Sequence, residues 1–147
     1  MAKKTKVGLK VPTKNEILKK YGGMIKVASE TKETGLWLPS TFFALNYLFG
    51  GGIPWGKSIE IAGEESSGKS LIAYNFAYST IQLGGHVIWV DAEQSWMNSW
   101  AEINGVDPTK VTCINDTRIE YVSDAVADLA IYLRSQLTNN EPILLVI

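Results

Sequence analysis

The chain has 147 residues, room for one domain and little more. Its 46% apolar content supports a buried core, yet no apolar run is long enough to cross a membrane as a helix. Cys113 is the only cysteine, which excludes an internal disulfide and a cysteine-built zinc site.

The net charge of -1 hides an asymmetry. Residues 1–32 carry nine lysines against Glu16 and Glu30, a net of +7, while the other 115 residues carry five basic and thirteen acidic groups, a net of -8. Such a basic arm suits nucleic acid, an acidic neighbour or plain solvation. No apolar core region follows the basic N-terminus, so no secretory leader is expected and the chain reads as cytoplasmic.

Thr13 with Glu16 three residues on has the form of a capping box, which predicts a short helix over 13–21 stopped by Gly22-Gly23. Residues 24–38 fit neither template. Ser40 is the expected cap of a second helix through Phe42, Phe43, Leu45 and Leu48, ended by Gly50-Gly51-Gly52. From residue 58 onward apolar runs and helical periods alternate. Strands are predicted over 58–62, 86–90, 111–114 and 143–147. Helices are predicted over 69–83, 96–104 and 120–138, the last presenting Val122, Ala125, Val126, Leu129 and Leu133 on one face. Apolar strands separated by helices imply a mainly parallel sheet covered on both sides, an α/β fold in three layers.

Gly63-Glu64-Glu65-Ser66-Ser67-Gly68-Lys69-Ser70 matches G-x-x-x-x-G-K-[ST] in full, with an apolar run before it and a helix after it. Glycines let backbone N–H groups approach crowded phosphate oxygens, and the helix N-terminus adds its positive dipole end. ATP with Mg²⁺ is the expected ligand, with Lys69 on the β- and γ-phosphates and Ser70 on the metal. The strand 86–90 leads into Asp91-Ala92-Glu93, at the end of a parallel strand where α/β proteins place their chemistry. A carboxylate there either orients and deprotonates an attacking water or is simply solvated. Trp37, Trp55, Trp89 and Trp96 read as packing residues, and Cys113 as a small buried hydrophobe. His86 has no second histidine with which to share a metal.

Together with Gly51-Gly52-Ile53-Pro54-Trp55-Gly56-Lys57 and Gly105-Val106-Asp107, the E-S-S-G-K-S loop and the D-A-E tripeptide resemble the RecA family of recombinases. The match runs from about Leu38 to the end of the chain. The resemblance implies a RecA-like P-loop core and a DNA-dependent ATPase of recombination and repair, which forms filaments on single-stranded DNA and exchanges strands with duplex DNA. It gives Lys69 and Ser70 the phosphate and Mg²⁺ roles and makes Glu93 the activator of water. Trp100 stands where the family has a tyrosine that stacks on adenine. Met97 replaces an aspartate that bonds the adenine amine, and Glu64 replaces a proline. The resemblance further implies an oligomerisation arm over 1–35 and the N-terminal part of the ATPase core over 36–147, without the DNA-binding loops. The strand 58–62 would then lack a pairing partner on either side. A RecA-like helicase, helicase loader or clock-type ATPase is the alternative reading; a nucleotide-binding regulatory module without DNA is the alternative of another class.

Overall fold

The computed structural model describes residues 12–22, 35–138 and 140–147, and the chain divides into two compact units, Met1–Glu33 and Thr34–Ile147. In the first unit, α1 (Lys14–Tyr21) carries the expected capping box. The Glu16 amide donates to Thr13 Oγ1 at 3.3 Å, and the Thr13 amide donates to Glu16 Oε2 at 2.7 Å. Gly22 ends this helix. The rest of the lysine-rich arm, Gly23 and most of 24–38 lie outside the described residues.

The second unit opens with β1 (Trp37–Leu38), α2 (Phe43–Phe49) and β2 (Ile53–Pro54), the two strands pairing antiparallel with Leu38 opposite Ile53. This pair was not foreseen: two-residue strands leave no period to read. Helix α2 starts later than a Ser40 cap would allow. Phe42 is the N-cap residue, and Ser40 Oγ instead takes the Phe42 amide at 2.8 Å while donating to Asn75 Oδ1 at 2.8 Å.

The predicted α/β alternation follows. Its elements are α3 (Lys69–Gln82), β3 (His86–Val90), α4 (Asn98–Ile103), β4 (Val111–Ile114), α5 (Ile119–Gln136) and β5 (Ile143–Val146). A 3₁₀ turn over Pro108–Lys110 leads into β4. Strands β4, β3 and β5 form a parallel sheet in that order, with Ile88 opposite both Thr112 and Leu145. Because side chains alternate along a strand, β3 serves both faces. Val87 and Trp89 pack with Tyr74, Ala77, Ala101 and Val106 from the side of α3 and α4. Ile88 meets the α5 side, where Val126 and Ala130 line the same groove. The three layers of the expected fold are therefore present.

Residues 58–62 are the exception, because they form no strand. Both neighbours of β3 are taken by β4 and β5, and 58–62 joins neither of the outer edges that those two strands leave open. An extended segment without a partner gains nothing over solvated coil, since its N–H and C=O groups stay with water. Helix α4 also starts two residues later than expected, at Asn98, because Ser95 and Trp96 are drawn into the turn that follows β3.

Candidate nucleotide-binding site

The loop over 63–68 feeds directly into α3. Gly68 is the N-cap at φ 91°, a backbone angle that side-chain-bearing residues adopt only under strain. That turn leaves the first N–H groups of α3 without intrahelical acceptors, as an anion site needs. Ser66, at φ 60°, is also left-handed, and such strain in non-glycine residues concentrates at ligand sites. A Cβ built on Gly63 would stand 2.7 Å from Ser67 Oγ, so a larger residue there would push the serine hydroxyl aside at that wall of the cradle. Lys69 Nζ donates to the carbonyls of Gly63 at 3.0 Å and Glu64 at 2.7 Å. The ammonium thus lies over its own loop, held by neutral acceptors that anionic phosphate oxygens outcompete. Glu64 and Glu65 are exposed.

A cavity of about 410 Å³ joins this loop to the end of β3, with Lys69, Ser70, Asp91 and Glu93 all in its lining. The two sequence-predicted regions, loop and strand end, therefore meet in one place. Trp100, on α4, is 45% exposed and does not line that cavity, and Met97 is exposed at the α4 N-cap.

Asp91 and Glu93 differ sharply in surroundings. Glu93 is exposed, whereas Asp91 is 4% exposed. Asp91 Oδ1 accepts from the Ser95 amide at 3.0 Å and Ser95 Oγ at 3.4 Å, and Oδ2 accepts from the Trp96 amide at 2.9 Å. The sequence places both carboxylates at the strand end and gives Asp91 no separate role; a serine four residues after an aspartate is the one hint of this turn. Behind the cavity, Tyr74, Trp89 and Trp96 pack ring on ring, with centroids 4.8 Å apart for Tyr74–Trp89 and 5.1 Å for Trp89–Trp96. Burial, followed by the charge of Asp91, raises the Tyr74 hydroxyl and the Cys113 thiol above their usual pKa values. Cys113 is accordingly a packing residue in β4, not a nucleophile.

The residues present suit a magnesium nucleotide. The loop turns into α3 through a left-handed glycine at 68, a lysine is at hand, and Ser70 offers a hydroxyl to the same cavity. Among the described residues no cluster of three His, Cys, Asp or Glu is placed to hold a metal. A single hydroxyl donor matches Mg²⁺, which keeps several waters and takes phosphate oxygens.

The family model described as RecA N-terminal domain matches residues 10–129, most of the chain. The chain belongs to the RecA family. This RecA-family chain is 38% identical over 96 residues to Protein RecA of Malacoplasma penetrans, a match covering 65% of the chain and 29% of that relative. It is 33% identical over 95 residues to Protein RecA of Gloeothece citriformis, covering 63% of the chain and 27% of the relative. Over 68 residues it is 38% identical to the chloroplastic DNA repair protein recA homolog 1 of Arabidopsis thaliana, covering 46% of the chain and 16% of the relative. These matches thus span less than a third of each relative's length. No helix among the described residues is long and apolar enough to cross a membrane.

Proposed function

We propose that the chain binds Mg-ATP and supplies the nucleotide half of a DNA-dependent ATPase that serves recombination and repair. The observation that carries this reading is the shared cavity: the phosphate loop residues Lys69 and Ser70 and the strand-end carboxylate Glu93 line one space. In this reading the loop N–H groups and Lys69 grip the phosphates, and Ser70 is the protein ligand of the metal. Mg²⁺, when bound, neutralises charge at the β- and γ-oxygens. Glu93, exposed at the cavity rim, orients the attacking water and takes its proton. Trp100 is the proposed stacking partner of the base, with its half-exposed indole available from α4.

DNA binding and filament assembly are proposed on family membership, with single- and double-stranded DNA engaged outside these residues and the lysine-rich arm meeting a neighbouring protomer. The test is hydrolysis by the intact protein, measured with and without single-stranded DNA, beside Lys69→Ala. We expect DNA to stimulate turnover and Lys69→Ala to abolish it. Turnover indifferent to DNA would favour the regulatory-module reading, and turnover unchanged in Lys69→Ala would remove the phosphate-loop assignment.

A further inference from the structure

Two carboxylates line the cavity, and the obvious division of labour gives both to chemistry. The geometry points elsewhere: we infer that Asp91 is a positioning residue, a clamp that closes the turn over 91–96 and thereby fixes where Glu93 stands. This inference rests on the proposed role of Glu93.

Three observations carry it. First, both oxygens of Asp91 are engaged by the turn itself, through the Ser95 amide and hydroxyl and the Trp96 amide. A carboxylate at 4% exposure with these bonds is poorly placed to take a proton from water or a seat on a metal. Second, the turn is tied at its root on both sides. The Asp91 amide donates to the Ile114 carbonyl at 3.0 Å, extending the β3–β4 ladder, and the Gln94 amide donates back to the Asp91 carbonyl at 3.2 Å. Third, Gln94, the residue after Glu93, is left-handed at φ 54° without being glycine. A conformation of that kind persists only where its surroundings over-determine it, and the Asp91 bonds on its far side do so. Glu93 is exposed and sits between the strand end and this strained residue, so its own contacts do not set its place. The carboxylate beneath it does.

A clamp of this kind couples Asp91 to Glu93. In Asp91→Asn the side chain keeps its shape and one acceptor oxygen, but its amide meets a backbone N–H instead of accepting from it. The turn loosens and Glu93 loses its register over the loop. Lys69 and Ser70 are untouched.

The test has two independent readouts on the intact protein. Hydrogen exchange at the Ser95 and Trp96 amides reports the clamp whatever the activity. We expect both to lose protection in Asp91→Asn, and unchanged protection would overturn the inference. Turnover reports the coupling. We expect Asp91→Asn to lower kcat by about 10²-fold, the scale of a misplaced catalytic group, with the nucleotide KM changed little. Added to Glu93→Gln, the same change should produce no further loss. Losses that multiply in the double variant would make Asp91 an independent participant and overturn the positioning role. Should the wild-type protein hydrolyse no nucleotide, the proposed function falls, and amide exchange alone decides whether Asp91 is the clamp.

Discussion

At the scale of single residues, Glu93 and His86 make separable claims. Glu93→Gln keeps size and hydrogen-bonding reach but removes the proposed base. Turnover should fall by about two orders of magnitude or more while nucleotide affinity persists, checked by steady-state kinetics beside calorimetry. A collapse of affinity with normal turnover per bound nucleotide would make Glu93 a binding residue. His86 heads β3, and its Nε2 lies 2.9 Å from Thr112 Oγ1 on β4. Burial, followed by the charge of Lys110, lowers its pKa below the usual 6.5. The native state therefore holds His86 neutral, and the unfolded chain takes up the proton first as the pH falls. Stability from this group is complete above about pH 6.5 and drains away below it, towards the depressed native value. Denaturant midpoints between pH 7.5 and 5.5 should fall in the wild type, and fall less in His86→Gln, which still reaches Thr112.

At the scale of elements, legibility followed period and length. Strands β3, β4 and β5 and helices α3 and α5 each repeat a hydrophobic pattern over several residues, and each stands within two residues of its predicted bounds. The loop motif led to Lys69 and Ser70, which the fold sets at the start of α3 and in the lining of the cavity, because the motif fixes both spacing and context. Residues 58–62 have the composition of a strand, but pairing is a property of the sheet: the missing partner follows from the family resemblance and not from composition. The Asp91 clamp was illegible for a related reason: an aspartate at a strand end looks the same whether it faces water or caps a turn. A second clamp ties α3 to the segment before α2. Asn75 Oδ1 accepts from Ser40 Oγ at 2.8 Å and from the Thr41 amide at 2.9 Å, with Ser40 buried. Asn75→Ala strips the one acceptor that serves both bonds and should destabilise the second unit by about 1–3 kcal/mol, measured by urea unfolding. A change below about 0.5 kcal/mol would show that water replaces the amide at no loss.

At the scale of the whole molecule, much apolar surface is uncovered. Phe43, Tyr47 and Leu48 on α2 are each more than 70% exposed, as are Ile131 on α5 and Ile147 beyond β5. Strand β5 pairs only with β3 among the described residues, so its outer row of N–H and C=O groups is a template for another strand. Residues 1–147 expressed alone should self-associate and bind Mg-ATP weakly. Sedimentation velocity at several concentrations, with calorimetry, checks both. A monomer that unfolds cooperatively and binds Mg-ATP tightly would show instead that this surface is tolerated.

The ring stack behind the cavity also gives the molecule an optical signature. The indoles of Trp89 and Trp96 lie 5.1 Å apart at 63° to each other, close enough and oblique enough for their excited states to mix. One of these rings lines the cavity. The other belongs to the residue whose amide Asp91 holds. A paired band of opposite sign in the ultraviolet circular dichroism should therefore mark an intact turn. Its amplitude should shift when a nucleotide enters beside Trp89 and shrink in Asp91→Asn, so the protein carries a built-in gauge of that turn and needs no label.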